Sequence, residues 1–274
     1  MSIFVIDPDK CQHDGLCVAE CPLAIIEMPD PQAPPRPTAE ALELCINCGH
    51  CAAICPHGAL SLAAMPLESM PVLDPSMRLG AEQAEQFLRS RRSIRVYKDK
   101  WVDQATLQRL IEVARYAPSG HNWQPVNWLV LSGREQLKPL CELVIQWMHW
   151  MLEQQPEAAA MMHMQRVIDR WQQGHDGILR GAPHVIVAHA PQMDRTAPAA
   201  CTIALTYLEL MAPSLNLGAC WAGFFNAAAM FFPPLQKALA LPAGHTSFGA
   251  MMVGYPKTRY QRLPLRKEPP ITWR

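Results

Sequence analysis

Cys45-Ile46-Asn47-Cys48-Gly49-His50-Cys51-Ala52-Ala53-Ile54-Cys55-Pro56 places three cysteines at CxxCxxC spacing and a fourth after three more residues, against a proline. Thiolates two residues apart let a tight loop wrap one corner of a cubane [4Fe–4S] cluster, while the fourth, beyond the following turn, points away. A zinc site is the competing chemistry, but its CxxC pairs are normally separated by a longer finger. Four buried free cysteines are the bland alternative. Upstream, Cys11-x-x-Asp14-x-x-Cys17-x-x-x-Cys21-Pro22 repeats the frame with aspartate in the second position. A carboxylate holds iron less firmly than a thiolate. This corner is therefore expected to be labile, in an Asp-ligated [4Fe–4S] or a [3Fe–4S] cluster, unless Asp14 is only a turn residue ahead of Gly15. Gly15 and Gly49 fall at equivalent places, where backbone must approach a cluster closely.

Over about its first sixty residues the chain resembles bacterial two-cluster ferredoxins, including members with the same aspartate. The resemblance implies crossed ligation. Cluster one would use Cys11, Asp14, Cys17 and Cys55; cluster two would use Cys45, Cys48, Cys51 and Cys21.

Seven of the ten cysteines fall between Cys11 and Cys55, so the two ends of this 274-residue chain are expected to do different chemistry. Residues 1–64 read as an iron–sulfur domain and the proline-rich stretch 65–80 as an extended linker. Residues 81–274 read as a second domain. Formal charge is zero, so no global basic field invites nucleic acid. The start lacks a basic region and a long apolar run, so it does not read as a secretory signal, and the expected location is the cytoplasm. Reducing surroundings there keep thiols free for metal or catalysis. The apolar stretch from Ala197 to Leu235 is interrupted by Glu209, Asn216, Asn226 and the prolines at 213, 233 and 234, and is read as a buried helix or dimer interface rather than a membrane span.

In the second domain, helices are expected over residues 81–91, from Asp103 as N-cap to about Ala117, and over 135–152, 157–173 and 198–215. Strands are expected at Trp128–Leu131, His184–His189 and Phe248–Val253, giving an α+β sandwich. Arg89, Arg91, Arg92 and Arg95 crowd around Ser93. Guanidinium forks with a hydroxyl suit an anionic group, although arginines closing a helix also simply complement its negative end. The loop Ala117-Pro118-Ser119-Gly120-His121-Asn122-Trp123-Gln124-Pro125 is polar and bracketed by prolines, as ligand-positioning loops are.

With Leu217-Gly218-Ala219-Cys220-Trp221-Ala222-Gly223-Phe224 and Val253-Gly254-Tyr255-Pro256 following in order, then basic Arg266 and Lys267, residues 81 to about 270 resemble the FMN-dependent nitroreductases. The resemblance implies a homodimer with FMN at the subunit interface. The phosphate would meet Arg91, Arg92, Ser93 and Arg95, with Arg266 and Lys267 on the same side. Pro118, Ser119 and Gly120 would approach the flavin, Asn122 and Gln124 would support it, and Ala222 and Gly223 would lie by the ring. Val126 stands where many members have tryptophan, and Ala222 where some have an acid, so substrate identity does not carry over. No GxGxxG is present, but members of the family use NAD(P)H without one. Trp147, Trp150, Trp171 and the neighbouring methionines are read as core or dimer packing, or as a lid over an apolar substrate. His121 is a candidate proton donor or a plain hydrogen-bonding residue. Cys141, Cys201 and Cys220 are read as buried small residues.

These readings converge on a flavin-dependent oxidoreductase with hydride delivered from FMN N5 and no obligatory catalytic side chain. An external donor, ferredoxin or NAD(P)H, would reduce the clusters and through them FMN, which would reduce a nitroaromatic, quinone or activated alkene. The alternatives are the reverse current, exported through the clusters, and a non-enzymatic redox sensor or electron carrier.

Overall fold

The computed structural model describes residues 3–274, which divide into two compact units. The first runs to Leu79 and includes His121–Trp123; the second comprises Gly80–Gly120 and Gln124–Arg274.

The first unit runs β1 (Phe4–Ile6), α1 (Leu16–Glu20), β2 (Ile26–Glu27), β3 (Arg36–Pro37), α2 (Ala41–Leu44), α3 (His50–Ile54) and β4 (Leu60–Leu62). Strands β1 and β4 pair antiparallel, as do β2 and β3. Its apolar core is small, built on Phe4, Ile26, Ala52, Leu60 and Leu62. A core of that size needs a staple, which is the structural role metal clusters play in small domains. Within the stretch read as an extended linker, Leu67–Ser69 and Pro75–Met77 form single 3₁₀ turns, and Met65 and Met70 pack against this core.

The second unit runs α4 (Ala81–Ser90), α5 (Gln104–Ala114), β5 (Asn127–Ser132), α6 (Arg134–Gln154), α7 (Pro156–Met161), α8 (Met164–Gln172), β6 (His184–Pro191), α9 (Ala197–Met211), β7 (Gly218–Trp221), α10 (Gly223–Phe231), α11 (Pro233–Leu239) and β8 (His245–Gly254). Its sheet is antiparallel in the order β5-β6-β8-β7. Side chains along the inner strands alternate between two cores. Val185, Val187, Ala250 and Met252 face one that holds Val144, Met148 and Phe225; Ile186, Ala188, Met251 and Val253 face the other, with Leu110, Cys201 and Leu208. Covering both faces explains why β6 reads as one continuous apolar run.

Asp103 caps α5, accepting the Thr106 N–H at 2.8 Å, with Val102 and Leu107 both buried beside it. The helix expected over 157–173 breaks between α7 and α8, where His163 takes a left-handed φ of 53° that no glycine or proline marks. Trp147, Met148 and Met164 are core residues, whereas Trp150 and Met161 lie at the surface. Among the described residues no helix is long and apolar enough to cross a membrane.

Candidate functional site

The two cysteine loops share one backbone path. His13 and Gly15 in the first, and Asn47 and Gly49 in the second, all have positive φ, and each glycine opens a five-residue helix. Asp14 and Cys48 thus occupy the same step of the same turn. At Gly49 a Cβ would stand 3.0 Å from the Met65 sulfur, so the tight turn and the packing beneath it both favour glycine.

These loops build two cavities. One is lined by Cys21, Cys45, Cys48 and Cys51, the other by Cys11, Asp14, Cys17 and Cys55. Cys21 and Cys55 each cross to the other motif's cavity. Four sulfurs in one, and three sulfurs with a carboxylate in the other, match the donor chemistry of iron–sulfur clusters. Burial pushes the Cys51 thiol up to about 11 and raises Cys17, so both stay protonated until a cation compensates. The Ala59 N–H points at the Cys55 sulfur, 3.3 Å away. Asp14 accepts the Leu16 N–H at 3.1 Å through Oδ1, a turn-stabilising contact, and its Oδ2 lies 3.9 Å from His57 Nε2. Also in this unit, Asn122 Nδ2 donates to the carbonyls of Ile46 and Asn47 at 3.2 and 3.0 Å.

In the second unit the arginine-rich segment lies along β7, its Ile94 N–H donating to the Ala219 carbonyl at 2.9 Å. Gly218 makes room for it, since a Cβ there would meet Ile94 side-chain atoms at 2.5 to 2.8 Å. The segment turns its side chains two ways. Arg91 and Arg92 line a cleft of about 620 Å³ with Lys98 and Arg259, whereas Ser93 and Arg95 lie near Cys220, whose thiol burial pushes up and these two residues pull down. Arg92 Nη2 donates to the Arg89 carbonyl, but its buried Nε has no hydrogen-bond partner among the described residues. A buried donor left open beside three other cations fits an anionic ligand such as the FMN phosphate.

The polar loop lies elsewhere in the sequence and in a different cavity. Pro118, Ser119 and Gln124 line a space of about 120 Å³ with Ala114, Ala200 and Ala204, and Ser119 Oγ accepts the Gln124 N–H at 3.0 Å. A Cβ on Gly120 would meet Thr196 at 2.9 Å. His121, Asn122 and Gln124 all hold positive φ, a concentration of strain typical of ligand-clamping loops. His121 itself is exposed. Ala222 is buried at the start of α10 with Gly223 exposed after it, and Arg266 and Lys267 lie in a fully exposed terminal segment. Within one chain, therefore, the expected flavin residues fall into separate groups. Lys98, Arg259 and Glu209 join the basic cleft without having been singled out as ligands. Glu209 carried a signal, as the one charged side chain between Ala197 and Leu235. Cys141, Cys201 and Cys220 are all buried, burial pushing the Cys201 thiol up to about 12.

A nitroreductase family model matches residues 88–255, and a 4Fe-4S dicluster domain model matches residues 9–60. The chain belongs to the nitroreductase family and carries a 4Fe-4S dicluster domain at its N-terminus. A relative from Archaeoglobus fulgidus, named provisionally as an NADH dehydrogenase/NAD(P)H nitroreductase, is 24% identical over 180 residues, covering 64% of this chain and 87% of its own. Among solved structures, a nitroreductase with bound FMN from Bacteroides fragilis is similar at a TM-score of 0.53 and 20% identity, covering 69% of this chain and 95% of that one. An FMN- and NADPH-dependent nitroreductase from Sphigopyxis sp. matches at 0.52 and 22%, covering 67% and 95%. The second unit thus has the nitroreductase fold.

Proposed function

We propose that this oxidoreductase binds FMN in its second unit as a homodimer and takes electrons from an external donor through two iron–sulfur clusters in its first. The acceptor is a small organic molecule such as a nitroaromatic, quinone or activated alkene. The observation that carries this reading is the presence, in one chain, of two cysteine-lined cavities and a basic cleft on a nitroreductase fold.

Bound FMN supplies a centre that accepts electrons singly and delivers them in pairs. Around it, Arg91 and Arg92 bind the phosphate, joined by Lys98 and Arg259 of the same cleft, whereas Ser93, Arg95, Arg266 and Lys267, which the family resemblance assigns to the anion site, lie outside the lining of that cleft. Pro118, Ser119 and Gly120 shape the approach to the ring, which Asn122, Gln124, Ala222 and Gly223 bound. In the first unit, Cys21, Cys45, Cys48 and Cys51 hold a [4Fe–4S] cluster, while Cys11, Asp14, Cys17 and Cys55 hold the second, a [4Fe–4S] or [3Fe–4S] cluster. Unpaired cysteines throughout favour the cytoplasm. Quantifying iron, sulfide and flavin in anaerobically purified protein, with its mass in solution, tests the reading. The expected result is a dimer with about one FMN and two clusters per chain; a monomer retaining FMN stoichiometrically contradicts it.

A further inference from the structure

Among the described residues, Glu209 is the one acidic side chain lining the basic cleft of the second unit. It projects from α9, whose other charged positions are empty: between Ala197 and Leu235 the chain has no second ionised side chain. The Glu209 side chain is only 6% exposed, and its Oε1 accepts from Arg91 Nη1 at 2.8 Å, across 118 residues of sequence. Arg91 is itself 33% exposed at the cleft.

A carboxylate in an apolar helix is costly unless it is paired, and a hydrophobic residue of similar volume would serve packing at least as well. In a cleft that collects Arg91, Arg92, Lys98 and Arg259, a lone acid also opposes anion binding by simple Coulomb interaction. Its place there needs a geometric reason. Arginine carries several rotatable bonds, and fixing such a side chain costs about 2 kcal/mol of rotamer entropy. Anchoring one Nη on a buried carboxylate settles that cost when the protein folds and leaves the remaining guanidinium donors facing the cleft.

We infer that Glu209 is the positioning residue of the flavin-phosphate site: it holds Arg91 in the orientation that selects a phosphorylated flavin over one lacking the phosphate. The inference rests on the reading of this cleft as the phosphate site. Glu209 acts only through Arg91, so removing its charge weakens the phosphate contact and leaves contacts to the rest of the flavin intact.

The test titrates the flavin-depleted full-length protein with FMN and with riboflavin, which differ only by the phosphate. Wild type is expected to favour FMN strongly. Glu209→Gln should lower FMN affinity about tenfold, the scale of a charged hydrogen bond lost, with riboflavin affinity unchanged. Glu209→Leu, matched to the apolar helix, serves if the glutamine variant fails to fold and should behave alike. Arg91→Gln, which keeps a donor for Glu209, should also lose the preference. Retention of the wild-type FMN-to-riboflavin ratio in the Glu209 variants, while Arg91→Gln abolishes it, overturns the positioning role alone. Equal loss of FMN and riboflavin binding in the Glu209 variants makes Glu209 a merely structural residue, which also overturns it. A wild type that binds both flavins alike overturns the phosphate reading of the cleft, and this inference with it.

Discussion

Cys21 and Cys55 exchange places: Cys21, from the first motif, lines the cavity of Cys45, Cys48 and Cys51, while Cys55, from the second, lines that of Cys11 and Cys17. The exchange ties α1 to α3 through whatever the cavities hold. Loss of either residue should therefore damage the cluster of the opposite motif. Cys21→Ala is expected to remove the all-cysteine cluster and spare the Asp14 cluster, and Cys55→Ala to do the reverse. Iron content and the electron paramagnetic resonance of each reduced variant distinguish the two; loss of the same cluster in both variants contradicts the crossing.

Asp14 stands at the turn position that Cys48 fills in the second loop, and a carboxylate holds iron more weakly than a thiolate. Mild oxidation should convert only the cluster of Cys11, Cys17 and Cys55 to a three-iron form. Asp14→Cys should suppress that signal. If wild type and variant are equally stable to oxidation, Asp14 is the turn residue its contact to Leu16 would also explain.

His184 is fully buried, accepting the Val102 N–H at Nε2 (3.1 Å), which leaves the proton on Nδ1 for Ser132 Oγ at 2.8 Å. Burial lowers its pKa from 6.5 to about 4. Below pH 6.5 the unfolded chain takes up a proton that the folded one refuses, so stability falls as pH drops from 6.5 towards 4, by about 3 kcal/mol in all. Above pH 6.5 this group contributes no pH dependence. Urea midpoints of the second unit followed through that window, for wild type and His184→Gln, check it. The slope assigned to His184 should be missing from the variant.

Gly218 permits Ile94 to lie against β7. Gly218→Ala pushes a Cβ into that side chain and should shift the whole Arg91–Arg95 segment. We expect FMN affinity to drop about tenfold, with a loss of about 1 to 3 kcal/mol in stability from overpacking. Unchanged affinity in a folded variant would mean that the segment's position on β7 does not set the anion site.

Zero net charge conceals a division. Residues 1–79 carry ten acidic and three basic side chains, the remainder fourteen and twenty-one. Long-range attraction or repulsion of a charged partner is screened by salt. Electron entry from an acidic ferredoxin should therefore speed up as ionic strength rises, and entry from a donor with a basic face should slow down. A rate independent of salt for both would place electron entry away from the acidic unit.

The legible features were those written in local spacing. CxxCxxC spacing dictates a tight loop that turns its cysteines into one cavity, Asp103 ahead of Thr106 dictates a helix start, and the apolar run at His184–His189 dictates a buried strand. What stayed hidden depends on distant partners or on very short elements. β7 has four residues, too few for alternation to show, and the α7–α8 break falls at His163 without a glycine or proline. Arg91, Arg92, Ser93 and Arg95 read, through the family resemblance, as one anion site, yet Arg91 and Arg92 line the cleft while Ser93 lies near Cys220. Glu209 was visible as an oddity in an apolar helix, but its partner lies 118 residues away.

The proposed electron route is tested most directly by anaerobic rapid mixing of the full-length protein with reduced ferredoxin, following the flavin absorbance. Cys51→Ala, which removes one of the four sulfurs lining the all-cysteine cavity, provides the comparison, and dithionite serves as a reductant that needs no protein contact. The expected result is rapid bleaching of the wild-type flavin by both reductants, with the variant bleached by dithionite but not by ferredoxin. Equal bleaching of wild type and variant by ferredoxin would show that electrons reach the flavin without the clusters and would contradict the route.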